Sequence, residues 1–503
     1  MKLGELLQGV EGLKFGAHPA VEVPFLAYDS RRVKAGALFF AIIGEKADGH
    51  KFIPAALKSG AVAIVSERRA PPELAPQWVE APRIRRALAT ASLNFYRHPD
   101  SRLRLVGITG TNGKTTTSYL IESIFRAAGI RAGLFGTIEY RFGDRTLPAL
   151  NTTPESLDLI SYLAELADSG GGAAVMEVSS HALAQERVWG LHFAAAVFTN
   201  LTRDHLDYHK DFESYFQAKR RLFEGLGAGP PELAVINADD PWAVRLLELP
   251  YPRRLTYAIG SEADLKMKYF SQSAAGLEAS LATPQGKLEV RSPLLGRANV
   301  YNILAAAAAT LGLGVPADKV QRGIAALACV PGRFERVDEG QPFLVVVDYA
   351  HTDDALRNVL RTARELTRRK LIVVFGCGGD RDRAKRPLMG EAAGSLSDLV
   401  VLTSDNPRSE DPVAIMNDAL VGLQKAGKPY RLEVDRQAAI RLALEDAREG
   451  DVVVLAGKGH ETYQILKDRT IPFDDRAVAR QVLGELGYAA DQASAPRRNP
   501  ARH

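Results

Sequence analysis

The sequence predicts an α/β protein of three domains: a small N-terminal α/β domain, a central parallel-sheet domain built around a phosphate loop, and a C-terminal Rossmann-like α/β domain. Three observations carry this reading. At 503 residues the chain is too long for one core, and roughly 150 residues per domain gives about three. Apolar strand-like runs alternate with helix-like patterns over most of the length, as in parallel sheets covered on both faces. Between the strand-like run Leu103 to Thr109 and a helix-like run from Thr115 lies the glycine-rich stretch Gly110-Thr111-Asn112-Gly113-Lys114-Thr115-Thr116-Thr117.

Residues 1–99 mix short apolar runs, Ala37 to Ile43 and Ala61 to Val65, with turn residues, and end in the polar linker Arg97-His98-Pro99-Asp100. From 100 to 331, Ala173 to Val178, Ala194 to Thr199 and Leu233 to Asn237 read as strands between helices. A β-rich insertion is expected over about 254–291, then an alanine-rich helix from Asn299 to Leu311, then a hinge at Cys329-Val330-Pro331-Gly332. The third domain, 332–503, has strands at Phe343 to Asp348, Leu371 to Phe375, Leu399 to Thr403 and Val452 to Ala456, with a disordered tail from about 490.

Composition narrows the function. With 46% hydrophobic and 25% charged residues and a net charge of +4, the chain gives no electrostatic reason for a nucleic-acid or membrane partner. Cys329 and Cys377 make no disulfide framework and lack metal-ligand spacing, which fits a reducing cytoplasm. The N-terminus lacks a signal-peptide core, and the longest apolar stretch, Ile303 to Val315, is too short to span a bilayer. The expectation is a cytoplasmic protein with no membrane insertion.

The glycine-rich stretch has the parts a phosphate site needs. Glycines allow positive φ and close backbone approach, the following helix presents its positive end, and Lys114 adds a point charge. Thr115 is placed to hold Mg²⁺ through its hydroxyl. Strict phosphate-loop spacing would put the first glycine at Ile108, so the loop is a variant. Glu177 ends a hydrophobic strand at the edge where open α/β sheets hold ligands, and its carboxylate suits Mg²⁺. The segment Asn200 to His209 follows the next strand at the equivalent edge and brings His205 beside the same site. Lys219, judged by pattern alone, is a solvated helix lysine.

Five motifs occur in order: Gly110-Thr-Asn-Gly-Lys-Thr-Thr116, Asn151-Thr-Thr-Pro-Glu155, Glu177-Val-Ser-Ser-His181, Asp204-His-Leu-Asp207 and Asp348-Tyr-Ala-His351. Together they resemble the Mur ligases, ATP-dependent amide ligases that build the peptidoglycan peptide stem, over roughly residues 20 to 485. The resemblance implies that Gly110, Thr111, Asn112, Gly113, Lys114, Thr115 and Thr116 bind ATP with Asn302, Arg333 and Asp348. It implies Mg²⁺, two ions, held through Thr115, Glu177 and His205. It also implies that Lys219 is carbamylated (N6-carboxylysine), turning a cation into a ligand with hard oxygens. Lys114, Glu177, His205 and Lys219 are then the catalytic set. For the nucleotide-sugar substrate it implies Ser30, the Glu45-Lys46-Ala47 segment, Asn151, Thr152, Thr153, Ser179, Gln185 and Arg187.

Within the family, Asp405-Asn406-Pro407-Arg408 is the loop version associated with meso-diaminopimelate rather than L-lysine. Diaminopimelate carries a distal carboxylate and amine; Arg408 can pair the former while Asp405 or Glu461 meets the latter. Arg381 and Gly457 match the same pocket. The small-molecule partners implied are UDP-N-acetylmuramoyl-L-alanyl-D-glutamate, meso-diaminopimelate and ATP, acting on a monomer in the cytoplasm. Two positions depart from the family text and bear only on local loop geometry. Asp353 stands where a proline is expected, and Lys210 where a glycine is common.

Overall fold

The computed structural model describes residues 1–44, 47–273 and 276–488. Glu45, Lys46 and the tail expected from about 490 lie outside the described residues. Three sheets, of five, eleven and six strands, follow one another along the chain, with a small two-stranded sheet, Tyr463–Ile465 and Thr470–Pro472, in the last part. The first orders its strands Lys14–Phe15, Trp78–Glu80, Ala63–Ser66, Ala37–Phe40 and Phe25–Ala27, parallel except for the first pair. Its Leu38, Phe40, Ala63 and Val65 pack beneath the helix Ile84–Phe95.

The central sheet places Arg104–Thr109 between Ala195–Phe198 and Ala173–Glu177, all parallel. It is not parallel throughout, as the alternation of elements suggested. Glu139–Phe142 and Arg145–Pro148 add an antiparallel meander at one end, and Gly276–Thr283 and Gly286–Ser292 add another at the opposite end. The β-rich stretch expected over 254–291 is therefore no separate insertion. Its first strand, Arg253–Ala258, pairs parallel to Leu233–Asn237 and carries the same sheet outward. Helices Lys114–Ala127 and Arg297–Gly312 cover one face, and Ser156–Asp168 and Phe212–Glu224 the other. The alanine-rich helix starts at Arg297, two residues earlier than expected, and its stretch Asn302 to Leu311, almost wholly apolar, is buried on every face.

In the last large sheet Val452–Ala456 lies between Leu344–Asp348 and Leu371–Phe375, with Leu399–Leu402 and Tyr430–Leu432 beyond them. Every pair is parallel except the edge pair with Glu335–Val337. Consequently the ends of four neighbouring strands, at Asp348, Phe375, Leu402 and Ala456, open on one edge, where ligands of such sheets bind. No helix among the described residues is long and apolar enough to cross a membrane.

Asp353 fits where proline was expected, because Thr352 caps the helix Asp353–Leu366 and the first helical position needs no N–H partner. Lys210 fits badly: at φ +70 and ψ −46 it occupies a region strained for any side chain. Relief of about 1–3 kcal/mol of strain outweighs the roughly 0.4–1 kcal/mol of extra chain entropy that glycine brings to the unfolded state. Lys210→Gly is therefore expected to stabilise the protein by about 1 kcal/mol, read as a higher urea midpoint at unchanged slope.

Candidate active site

The phosphate loop is shaped by its own glycines. Gly110 takes φ +145, and a Cβ there would lie 1.9 Å from Thr199 Oγ1. Gly113 takes φ +90, with Asn302 Oδ1 2.4 Å from where its Cβ would stand. Only glycine fits either place. Asn302 thus lies against the loop, accepting from Thr117 Oγ1 at 3.3 Å. The neighbouring strand end grips the loop as well, since Asn112 N donates to Asn200 Oδ1 at 2.9 Å and Thr199 Oγ1 to Asn112 O at 2.7 Å. Lys114 Nζ folds back on the carbonyls of Gly110 and Thr111, at 3.0 and 2.8 Å.

Glu177 is 1% exposed, and three donors fix its carboxylate: Thr115 Oγ1 at 3.1 Å, Thr137 N at 2.9 Å and Thr137 Oγ1 at 3.1 Å. Gly136 leaves room for it, because a Cβ there would stand 2.4 Å from Glu177 Oε1. Gly136→Ala is therefore expected to displace the carboxylate and lower ATP turnover about 10- to 100-fold with the fold retained, read by phosphate release and circular dichroism.

Lys219, a solvated lysine by pattern, is instead 2% exposed. Its Nζ donates to Gly110 O at 2.7 Å, the same carbonyl Lys114 uses, and lies 4.3 Å from the centre of the Tyr215 ring. Burial, reinforced by the Lys114 ammonium, pushes its pKa well below that of an ordinary lysine. His205 takes φ +53 at the mouth of the site, 3.4 Å from Asp204 Oδ2 and edge-on to His181 at 4.8 Å. Desolvation pushes its pKa below that of an ordinary histidine.

Among the described residues, no three His, Cys, Asp or Glu side chains converge as a metal site. The donors that do meet are a hydroxyl and a carboxylate, Thr115 Oγ1 and Glu177 Oε2. This sparse hard-oxygen set fits Mg²⁺, which keeps waters and substrate phosphates as its other ligands, better than a transition metal needing an all-protein cage.

The C-terminal sheet reaches this site directly. Arg333 Nη2 donates to Thr115 Oγ1 at 3.1 Å, its guanidinium lies over Tyr349 at 4.6 Å, and its buried Nε finds no partner among the described residues. Asp354 Oδ2 accepts from Asn112 Nδ2 at 2.7 Å, and Arg203 meets Asp382 at 3.2 Å. Asp348 has both oxygens on backbone N–H groups, of Phe334 at 2.7 Å and Ala350 at 2.8 Å, so in this structure it ties the hinge to its strand. Burial raises its pKa.

Of the residues implied for the nucleotide sugar, one group converges. Thr153 Oγ1 donates to Glu177 O at 2.8 Å and accepts from Ser179 N at 3.1 Å. Arg187 donates to Thr153 O and to Gln185 Oε1, each at 2.8 Å. Thr152 Oγ1 meets Thr137 Oγ1 at 3.1 Å, and Asn151 N donates to Tyr140 Oη at 3.0 Å. Ser30 and Ala47 lie on the N-terminal sheet's side, where Ser30 opens the short turn Ser30–Arg32 capped by Asp29. That domain docks on the central one through Arg32 to Asp158 at 2.7 Å, Arg85 to Glu155 at 2.7 Å and Arg86 stacked 3.7 Å over Trp189.

A second polar cluster occupies the carboxyl edge of the C-terminal sheet. Asn406 Nδ2 donates to Glu461 Oε2 at 2.8 Å, and Asn406 Oδ1 accepts from Ile465 N at 2.9 Å. Arg408 sits at φ +52 with its backbone N on Ile465 O at 3.1 Å and Nη1 on Gly379 O at 2.8 Å. Gly457 at φ +115 lets Asp405 approach, since its Cβ would stand 2.9 Å from Asp405 Oδ2. Arg381, in contrast, is exposed and among the described residues bonds only its neighbour's carbonyl, Asp380 O, at 3.4 Å. Sequence reading missed Lys458, a fully buried lysine 3.0 Å from Glu461 Oε2 and 3.2 Å from Asn406 Oδ1.

Comparison with known proteins matches this arrangement. Residues 22–96 fit the model described as Mur ligase family, catalytic domain, residues 108–310 the Mur ligase middle domain, and residues 332–459 the Mur ligase, glutamate ligase domain. The chain is 58% identical over 495 residues to the UDP-N-acetylmuramoyl-L-alanyl-D-glutamate--2,6-diaminopimelate ligase of Solibacter usitatus, covering 98% of this chain and 100% of that one. The protein of the same name from Geobacillus thermodenitrificans is 47% identical over 491 residues, covering 96% and 100%. A solved structure of a ligase of that name is 36% identical, with a TM-score of 0.68 over 97% of this chain and 100% of its own. MurF ligase from Thermotoga maritima, solved in complex with ADP, shares the fold at 21% identity, with a TM-score of 0.61 over 92% and 96%.

Proposed function

The chain belongs to the Mur ligase family, and on that premise we propose that it joins meso-diaminopimelate to UDP-N-acetylmuramoyl-L-alanyl-D-glutamate, with ATP as co-substrate. The γ-phosphoryl of ATP passes to the free D-glutamyl carboxylate, giving an acyl phosphate and ADP. The amine then attacks the acyl carbon, and the tetrahedral intermediate expels phosphate as the amide forms. The observation that carries the acceptor is the Asp405-to-Arg408 turn, whose one carboxylate and guanidinium stand at the same sheet edge as the Glu461 carboxylate. Those charges match the distal amine and carboxylate that L-lysine does not combine.

The N-terminal domain, 1–99, would hold the nucleotide, the central domain, 100–331, would hold ATP, and the domain 332–503 would hold the amino acid. Lys114 and Arg333 would steady the phosphates, while Thr153, Ser179, Gln185 and Arg187 would orient the nucleotide sugar. Mg²⁺ held through Thr115, Glu177, His205 and a carbamate on Lys219 would neutralise phosphate charge. Docking of the C-terminal domain on Asn112 and Thr115 excludes water that would hydrolyse an acyl phosphate. The reading includes a monomer in the cytoplasm without nucleic-acid partner, the last supported by a net charge of only +4.

The test is phosphate release and product mass with the muramoyl dipeptide nucleotide, comparing meso-diaminopimelate with L-lysine. Product of the diaminopimelate adduct mass is expected; turnover with neither amine would sink the ligase reading. A preference for lysine would sink only the choice of acceptor.

A further inference from the structure

Lys458 is 0% exposed, and its Nζ sits among acceptors from two separate loops. Its Nζ lies 3.0 Å from Glu461 Oε2, 3.2 Å from Asn406 Oδ1 and 3.5 Å from Asp405 Oδ1. Asp405 Oδ1 is itself buried and accepts no hydrogen bond among the described residues, so it keeps an acceptor site open. The arrangement is tight for structural reasons that precede any ligand. Gln464 Nε2 donates to Asp405 O at 2.6 Å, and the glycines at 457 and 459, both at positive φ, let the chain pass close to Asp405 and Tyr349.

Burial, reinforced by the Asp405 carboxylate and opposed by the Lys458 ammonium, raises the pKa of Glu461. One ammonium set between two carboxylates leaves acceptor capacity unfilled. That is the complement of one ammonium group. We infer that Lys458 is a positioning residue, which holds Asp405 and Glu461 as a single clamp for the distal amine of the acceptor amino acid. The inference rests on the diaminopimelate reading above and deepens it. Arg408, on the other side of the Asp405-to-Arg408 turn and fixed by Gly379 O at 2.8 Å, meets the distal carboxylate, so the two charges are recognised by separate devices. Lys458 itself touches no substrate atom. It acts through the two carboxylates.

The experiment uses the full chain and two acceptors, meso-diaminopimelate and 2-aminopimelate, the same seven-carbon diacid without the distal amine. Wild-type turnover with diaminopimelate is the control; without it the functional reading fails, not the role of Lys458. In Lys458→Met, KM for diaminopimelate is expected to rise at least about tenfold, while KM for ATP and for the nucleotide sugar stay within about twofold. The preference for diaminopimelate over 2-aminopimelate is expected to fall at least about tenfold. If Lys458→Met does not accumulate as folded protein, Lys458→Gln, which keeps two N–H donors without the charge, carries the same readouts. An undiminished preference between the two acceptors in a folded variant overturns the inference, as does an equal rise in all three KM values.

Discussion

Lys219→Ala is expected to lower amide formation by about three orders of magnitude while leaving the fold and nucleotide-sugar binding in place. The reason begins with burial. Lys219 is 2% exposed, shares the Gly110 carbonyl with Lys114 and faces the Tyr215 ring. Two ammonium groups on one carbonyl in a desolvated pocket are unfavourable, and burial together with the Lys114 ammonium pushes the Lys219 pKa well below the usual lysine range. A neutral amine can add to CO₂, its nitrogen lone pair forming the N–C bond and its proton leaving to solvent. The product is an anion in place of an amine, which puts a negative charge beside the phosphate loop. Its hard oxygens would help hold Mg²⁺, and the ion would neutralise phosphate charge, a contribution of several kcal/mol, which at 1.36 kcal/mol per tenfold corresponds to about 10³ in rate. Short carboxylic acids are expected to restore part of the activity of Lys219→Ala by entering the vacated space. Full activity in the variant, or its loss together with nucleotide-sugar binding, would refute the carbamate role. Mass spectrometry of the native protein in bicarbonate reads the modification without reference to turnover, as a gain of one CO₂.

The strands that build both large sheets could be read because buried parallel strands are near-continuous apolar runs, as in Leu371–Phe375 and Val452–Ala456. Their carboxyl ends then located Glu177, while Asp348 came from the family resemblance. The meander Glu139–Pro148 escaped attention although its signal is present. Alternating residues flank Gly143-Asp144, a two-residue hairpin connection with Gly143 at φ +55. The stretch over 254–291 was legible as strands but not as the continuation of one sheet, since pairing of Arg253–Ala258 with Leu233–Asn237 is a tertiary fact. Burial of single lysines was illegible for the same reason. Lys219 lies on a helix with a polar face, and Lys458 between two glycines looks like a solvated loop residue; each is buried by chain distant in sequence, at Gly110 and Asn406. Lys210 shows the converse. The family text expects glycine there, and the backbone confirms the demand for positive φ although the residue present does not suit it.

Arg408→Asn is expected to abolish most of the discrimination between meso-diaminopimelate and L-lysine, the second-largest effect the site predicts. Asparagine is the apt substitution because position 408 is held at φ +52, a left-handed conformation it tolerates better than alanine does. The fold of the turn should therefore survive, and what is lost is the guanidinium. In the native protein that group is held before any ligand arrives: Nη1 rests on Gly379 O at 2.8 Å, and a Cβ at Gly378 would crowd Nη1 at 3.0 Å. The loop that presents these carbonyls is itself braced. Arg386, 0% exposed, bonds Glu410 and Asp418, Glu410 accepts from Asp380 N at 2.5 Å, and Asp380 holds Ser409 next to Arg408. A carboxylate meeting so fixed a partner loses little entropy on pairing, and a hydrogen bond to a charged group contributes about 1.5–3 kcal/mol. The rejection of L-lysine has a larger ceiling, on the order of 10⁴ to 10⁵, because lysine would leave Arg408 desolvated and unpaired. Removing the guanidinium removes both terms at once. kcat/KM for diaminopimelate is expected to fall about 10- to 100-fold and that for L-lysine to rise, each measured by phosphate release with saturating ATP and nucleotide sugar. If the ratio between the two amines is unchanged in Arg408→Asn, recognition of the distal carboxylate lies elsewhere. Arg381, exposed one loop away, is then the group to replace next.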